Sequence, residues 1–269
     1  MANPSTGSGR HVLVCVKRVP DVSGEVRLTD DEMRVDATYL GHTMSPHEEC
    51  AVELATQVVA ATGGEATVLS LGDEDCLEQV RHALAVGCTR AVRIDPGEHG
   101  SDGYGPVDVA SAIAEVVREH EAAGTPYDLV LLGNDAADTG DFQVGIRLAY
   151  ALDRPVVTGI STVSVDGGKV TATGDGPEGT EVFELDLPAV VTVMEGGVSP
   201  RYPSVPGRMK AKKVPVETVV PAGTPSGGGR RVRLTLPPSQ PSRVTVLGEG
   251  ASAAPAVVDL LSELGVLSR

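Results

Sequence analysis

The first 150 residues alternate between short apolar strands and amphipathic helices, and this alternation restricts the fold more than any other feature. Apolar runs rich in β-branched residues predict strands at 11–17, 66–71, 91–94 and 127–132. The spacing of apolar residues between them predicts helices over 45–62, 75–86 and 107–121. Strands and helices in this order require right-handed crossovers, so the sequence predicts an α/β fold: an open, mostly parallel sheet with helices on both faces.

The start of the first helix is marked by a capping signature. Ser45 occupies the N-cap position, Pro46 the first turn, and Glu48 the third position after the cap. Gly63 and Gly64 predict the end of this helix. The polar segment 24–36 alternates around Thr29-Asp-Asp and predicts an exposed hairpin.

Beyond residue 155 the pattern changes from alternating elements to short strands. A hairpin at 163–170 and strands at 180–187 and 189–193 predict an antiparallel extension of the same sheet. Residues 220–256 are dense in Pro, Gly and Ser, which predicts an arm draped over a surface. A helix at 256–267 follows, and its single apolar face predicts docking on this chain or on a partner. The predicted organisation is a disordered leader (1–10), an α/β domain (11–219) and an arm with a docking helix (220–269).

Composition excludes several classes of function. The 22 Lys and Arg against 37 Asp and Glu give a net charge of −15, which argues against a nucleic-acid or anionic-membrane coat. No run approaches roughly 18 apolar residues, and the first ten residues lack a signal core, so we expect a cytoplasmic protein without membrane insertion. The four widely spaced cysteines predict neither disulfides nor a metal site, and Cys15 and Cys88 read as buried thiols. Dinucleotide, P-loop, nucleophile-elbow and zinc-protease motifs are absent, and no catalytic residue is predicted.

The loop at 133–145 is the first candidate binding element. Its small residues lead from the strongest predicted strand into a helix, so free backbone N–H groups and the positive end of the helix dipole suit a phosphate. Asp138 and Asp141 would repel a phosphate, but they also suit helix capping or sugar hydroxyls. A capping loop without ligand is an equally good interpretation. His47, in the first turn of the Ser45 helix, lies beside this predicted cleft.

The segment 199–213 is the second candidate. It carries five basic residues without an acid on a strongly acidic chain, and its three prolines predict an extended, exposed first half. Tyr202, Val205 and Met209 add apolar groups. A solvated basic run is the alternative, but the mixture of charge, proline and apolar groups favours a protein-docking loop.

These segments resemble the β subunit of electron-transfer flavoproteins, the FixA-like small subunit, from about residue 11 to residue 217. The motifs that carry the resemblance are Val-Cys-Val-Lys-Arg-Val at 14–19, Met-Ser-Pro-His-Glu-Glu at 44–49, Leu-Leu-Gly-Asn at 131–134 with Gln-Val-Gly at 143–145, and Pro-Arg-Tyr-Pro-Ser-Val-Pro-Gly-Arg-Met-Lys-Ala-Lys-Lys at 200–213. The last motif is the most specific.

The resemblance implies a non-catalytic electron carrier on a fold similar to adenine-nucleotide-binding α/β domains. It implies a heterodimer in which the α subunit holds most of the redox-active FAD and the β subunit holds a structural AMP. Electrons would pass from acyl-CoA or other flavin dehydrogenases to a downstream quinone oxidoreductase. Aromatic residues make up only 3% of the chain, so few side chains are available to stack on a flavin. The alternatives are a bifurcating-type subunit with a second FAD in place of AMP, or a nucleotide-binding enzyme of the same fold.

The resemblance also assigns residues. It places AMP against Cys15, Ser45, Pro46, His47, Glu48, Leu71, Asn134, Asp138, Thr139, Gly140, Asp141, Phe142, Gln143 and Val144. It places dehydrogenase recognition on Arg201, Tyr202, Val205, Pro206, Arg208, Met209 and Lys210. Ser45, His47 and Glu48 replace more usual pocket residues. Val205 stands where the family generally has a leucine, and the missing methylene is worth roughly 1 kcal/mol if buried.

Overall fold

The computed structural model describes residues 9–21, 23–38, 40–226, 232–238 and 244–267. The chain divides into two compact units, Met1–Leu234 and Thr235–Arg269. Apart from Gly9 and Arg10, the predicted leader lies outside the described residues. No helix in the described ranges is long and apolar enough to cross a membrane.

A nine-stranded sheet forms the centre of the first unit, and two short strands form a separate pair. The strands are β1 (His11–Cys15), β2 (Val19–Pro20), β3 (His42–Thr43), β4 (Glu65–Leu71), β5 (Arg90–Ile94), β6 (Leu129–Gly133), β7 (Val156–Asp166), β8 (Lys169–Gly176), β9 (Gly179–Asp186), β10 (Ala189–Val193) and β11 (Val216–Val219). The sheet order is β11-β5-β4-β1-β6-β10-β7-β8-β9, and β2 pairs with β3 separately. From β11 to β7 neighbouring strands are parallel, whereas β8 and β9 continue the sheet antiparallel.

The helices are α1 (Pro46–Thr62), α2 (Leu77–Val86), α3 (Pro106–Ala122), α4 (Val144–Leu152), α5 (Val205–Ala211) and α6 (Ala254–Glu263). The predicted capping box of α1 is present: Ser45 Oγ accepts a hydrogen bond from the Glu48 N–H, and the Glu48 carboxyl accepts one from the Ser45 N–H. Gly63 ends the helix in the left-handed conformation, at φ +76°. The start and end predicted for this helix are therefore confirmed.

Two apolar cores lie on opposite faces of the sheet. Alternate residues of one strand point to different faces, so Val12 and Val14 of β1 join the core under α1 and α2. Leu13 between them joins the core that contains Ile113 of α3 and Leu148 of α4. Strands that are covered on both faces consist of continuous apolar runs, so these strands could be predicted from the sequence. The predicted α/β class is confirmed, and β8 and β9 form the predicted antiparallel extension. The strand at 189–193, predicted as part of that extension, is instead β10, which lies between β6 and β7 and is parallel to both.

Three further local predictions differ from the structure. Segment 24–36 forms a single antiparallel bridge between Leu28 and Val35, not a full hairpin. Pro206 lies in the first turn of α5, where proline is compatible with a helix, so the extended conformation ends earlier than predicted. The strand β11 lies beyond Pro215, where the sequence shows no periodicity. It forms because it pairs with β5, and its own residue pattern gives no strand signal.

The second unit contains the predicted C-terminal helix, observed as Ala254–Glu263 where the sequence predicted 256–267. None of its residues is buried. Its apolar side chains, including Val258 and Leu260, are exposed. Residues 227–231, 239–243 and 268–269 of the predicted arm lie outside the described residues.

Candidate functional site

A cavity opens at the carboxyl ends of the central strands. The chain connects β1 to β4 on one side through α1, and β5 to β6 on the other side through α3. Ligand sites of open α/β sheets lie at such a switch in strand order. The cavity encloses about 980 Å³, part of it open to solvent. Leu71, Val109, Ile113 and Leu132 give it apolar walls.

The structure brings most of the predicted AMP residues together in this wall. The predicted residues that line the cavity are Cys15, Glu48, Leu71, Asn134, Thr139, Asp141, Phe142, Gln143 and Val144. The other predicted residues, Ser45, Pro46, His47, Asp138 and Gly140, are sequence neighbours of lining residues and do not form the wall themselves. The assignment of these residues to a nucleotide stays a prediction.

Several wall residues were not predicted. Lys17 follows β1 directly, so its position after a buried strand was the signal that could have identified it. Tyr104 comes from the loop before α3, Pro106 is the first residue of α3, and Thr192 comes from β10. Tyr104, Pro106 and Thr192 reach the cavity through the sheet order, which no local pattern in the sequence contains.

Glu48 is a buried carboxyl in the cavity wall. Its Oε1 accepts a hydrogen bond from the Lys17 N–H at 2.9 Å, and its Oε2 accepts one from the Ser45 N–H at 3.0 Å. Burial raises the pKa of Glu48 to about 8, although both backbone hydrogen bonds favour the ionised form. The carboxyl is therefore mostly neutral at pH 7, and it connects the start of α1 to the end of β1.

The acidic residues of the 133–145 loop differ in their surroundings. Lys17 Nζ lies 2.8 Å from Asp138 Oδ1, so this carboxylate is neutralised where it was expected to repel a phosphate. Asp135 Oδ1 is buried without a hydrogen-bond partner in the described part of the chain. Asp135 also lines the cavity. A buried carboxylate oxygen requires a donor, so a ligand with an N–H or O–H group fits this position.

The start of α4 faces the same cavity through Val144 and Gly145. Gln143, the N-cap residue, gives this helix no side-chain cap, because its Oε1 accepts hydrogen bonds from the Arg147 guanidinium at 2.7 and 3.0 Å. The first-turn N–H groups of α4 consequently have no side-chain partner from the cap. Uncapped N–H groups at the positive end of a helix suit an anion.

Asn134 holds the loop to the sheet. Its Oδ1 accepts hydrogen bonds from Thr192 Oγ1 at 2.6 Å and from the Gly159 N–H at 3.0 Å. The side-chain carbonyl therefore links β6 to β10 and β7. This bonding fixes where the loop leaves the sheet and opens over the cavity.

The predicted recognition residues form a separate surface. Tyr202 is 91% exposed, Val205 76% and Met209 57%. Arg208 and Lys210 are also exposed. Arg201 differs, because its guanidinium forms an ion pair with Glu53 of α1. Arg201 is therefore tied to α1, although its side chain remains 48% exposed.

The thiols and histidines offer no further candidate site. All four cysteines are free and buried, as predicted for Cys15 and Cys88, and burial raises their pKa values. His120 is buried and lies 2.7 Å from the Tyr127 hydroxyl through Nδ1. Within the described residues no group of three His, Cys, Asp or Glu side chains is arranged to hold a metal ion.

An open parallel sheet with an apolar cavity at its switch point defines an α/β protein of the class that includes the nucleotide-binding folds. Within this class, the Electron transfer flavoprotein domain matches residues 33–223, more than half of the chain. The chain belongs to the electron transfer flavoprotein family.

Curated relatives match the chain over most of its length. Electron transfer flavoprotein subunit beta of Syntrophomonas wolfei is 34% identical over 239 residues, 88% of this chain and 90% of the relative. The subunit of the same name from Bacillus subtilis is 31% identical over 257 residues, 93% of this chain and 97% of the relative. The human subunit beta is 35% identical over 211 residues, 78% of this chain and 81% of the relative.

Proposed function

We propose that this chain is the β subunit of a heterodimeric electron transfer flavoprotein. In this proposal the α subunit holds most of the FAD, and the β subunit holds AMP and presents a docking surface to flavin dehydrogenases. The heterodimer accepts electrons from acyl-CoA or other flavin dehydrogenases and passes them to a downstream quinone oxidoreductase. The chain alone catalyses no reaction. The observation that carries the proposal is the cavity at the switch point, walled by residues of the family motifs.

The chemistry of the cavity supports AMP as its ligand. The apolar walls suit a purine ring, and the uncapped start of α4 suits a phosphate. Asp135 Oδ1 is an acceptor for an amino or hydroxyl group. Bound FAD would supply reversible one- and two-electron chemistry, which AMP does not. Phe142 and Tyr104 are the aromatic side chains that line the cavity. Both rings are suitable for stacking on the purine of AMP.

The experiment is co-expression with a flavoprotein α subunit, followed by purification and denaturation of the complex. We expect a yellow heterodimer that releases one FAD and one AMP, identified by chromatography and mass. Two FAD per heterodimer would instead show a bifurcating-type subunit and overturn the AMP assignment. A colourless monomer that hydrolyses ATP would overturn the carrier role and indicate an enzyme of the same fold.

The docking assignment rests on segment 199–213, called the docking segment below. Its exposed apolar groups lie among basic side chains on a chain of net charge −15, so the surface complements an acidic partner. The double substitution Arg208→Glu and Lys210→Glu should slow flavin reduction by a dehydrogenase and leave the heterodimer intact. Unchanged kinetics would remove this assignment.

A further inference from the structure

The docking segment is attached to α1 by a two-pronged ion pair. Arg201 Nε donates to Glu53 Oε2 at 2.7 Å, and Arg201 Nη2 donates to Glu53 Oε1 at 2.6 Å. The Arg201 backbone N–H also donates to Oε2, at 3.3 Å. Paired, parallel hydrogen bonds between guanidinium and carboxylate fix the orientation of both groups. The pair therefore sets the direction in which the chain enters the docking segment.

The surroundings of Glu53 hold its carboxylate in position for Arg201. It is 4% exposed, and Gln57, one turn later on α1, donates to its Oε1 at 2.8 Å. The hydrogen bonds from Arg201 lower the pKa of Glu53 below its ordinary value, so the carboxylate is ionised at neutral pH. Stability alone does not explain a buried carboxylate, because an apolar residue of similar size stabilises a core at least as well. An apolar residue in place of Glu53 could not hold the Arg201 guanidinium in this orientation.

A second attachment holds the other end of the docking segment. Arg81 of α2 donates through Nη1 to the carbonyl oxygens of Ala211 and Val214, each at 2.5 Å. These carbonyls belong to the last residue of α5 and to the turn that follows it. Gly207 lies so close to the Ala85 carbonyl that no Cβ fits between them. The short helix α5 thus rests directly on α2.

Between the two attachments the side chains point outward. Tyr202, Val205 and Met209 expose more than half of their surface, with Arg208 and Lys210 around them. Ordering a flexible loop during binding costs free energy for every side chain that becomes immobilised. A segment held in place beforehand avoids much of this cost.

We propose that Glu53, Arg201 and Arg81 are positioning residues that hold the docking segment in its binding conformation before the dehydrogenase arrives. Arg201 then serves as an anchor to its own chain, and the dehydrogenase contacts the exposed residues between the anchors. The inference rests on the proposed docking function of the segment. The Glu53–Arg201 pair then changes the affinity for the dehydrogenase and leaves the electron-transfer step unchanged.

The test uses the full heterodimer and two conservative variants. Glu53→Gln keeps the size of the side chain and removes the charge, and Arg201→Lys keeps the charge and removes the two-pronged geometry. Glu49→Gln is the matched control, since Glu49 lies on the same helix and forms no ion pair with the docking segment in the described ranges. Deuterium uptake of residues 199–213 reports their order. Steady-state reduction of the flavin by an acyl-CoA dehydrogenase, with the heterodimer as varied substrate, gives KM and kcat.

We expect faster uptake at 199–213 and a roughly tenfold rise in KM for both Glu53→Gln and Arg201→Lys, with kcat unchanged and Glu49→Gln like the wild type. Unchanged uptake would overturn the anchoring role whatever the kinetics. If uptake is faster but KM is unchanged, while the double variant Arg208→Glu with Lys210→Glu raises KM, then the Glu53–Arg201 pair has no effect on docking. If this charge-reversal variant also leaves KM unchanged, the docking function itself is wrong, and the uptake result still decides the anchoring.

Discussion

At the scale of single residues, Glu48 connects three parts of the site. Its carboxyl closes the capping box of α1, accepts the Lys17 N–H at the end of β1, and lines the cavity. An acid that is buried in this way is easier to keep neutral than ionised, and its pKa of about 8 expresses that preference. The sequence predicted the capping role from spacing alone. The burial that changes the chemistry of the group comes from tertiary packing.

Glu48 should therefore make stability depend on pH. Its folded pKa of about 8 lies above the ordinary value of 4.5, so the folded state holds a proton that the unfolded state has released. Stability should fall as pH rises from about 4.5 to about 8, by at most roughly 1.4 kcal/mol per pH unit, and then level off. Glu48→Gln cannot titrate and should remove this slope. Thermal unfolding of both proteins between pH 5 and pH 9 measures it.

The control is Glu49→Gln, which changes the neighbouring carboxyl on the same helix. Burial also raises the pKa of Glu49, but the group is only partly buried. Its substitution should leave most of the pH slope in place. Parallel curves for wild type and Glu48→Gln would show that Glu48 is ionised in the folded protein and would contradict the neutral carboxyl.

At the scale of elements, the sequence predicts what local pattern determines. The strand β6 and the helix α1 carry complete signals, an apolar run in one and a capping box in the other, and both form as predicted. The strand β11 carries no such signal, since it is half-exposed and is defined by its partner β5. The same limit applies to the cavity. The loop after β6 was identifiable from its small residues, whereas Ile113 of α3 enters the wall through the crossover that the topology imposes.

The cap of α1 provides the prediction at this scale. Ser45→Ala removes the side-chain oxygen that accepts the Glu48 N–H, and it should lower the free energy of unfolding by about 1 kcal/mol. Ser45→Gly should cost only a few tenths, because glycine is itself a favoured N-cap residue. Chemical denaturation of the two variants at pH 7 measures the difference.

The same pair of variants separates capping from ligand binding. Ser45 does not line the cavity, so the AMP content of the purified heterodimer should be similar for Ser45→Gly and the wild type. Equal losses of stability for alanine and glycine would show that the side chain acts through a contact other than the cap. Loss of AMP in both variants would place Ser45 in the nucleotide site, as the family resemblance implies.

At the scale of the whole molecule, the described residues of the second unit leave apolar side chains exposed. No residue of α6 is buried, and Val258 and Leu264 are 51% and 67% exposed. An amphipathic helix in this state requires a surface to pack against. We propose that the partner subunit of the heterodimer supplies this surface, so that the unit Thr235–Arg269 acts as an arm that holds the subunits together.

Truncation after Leu234 tests this role of the arm. The core residues of the sheet all belong to the first unit, so the melting temperature of the truncated chain should stay within a few degrees of the full chain. Association with the α subunit should weaken by at least tenfold, because burying a few aliphatic side chains contributes well over about 1.4 kcal/mol. Leu260→Ser with Leu264→Ser in the full chain should reproduce much of this loss by removing the apolar face alone. A truncated chain that binds the α subunit at full strength would mean that α6 packs on its own chain.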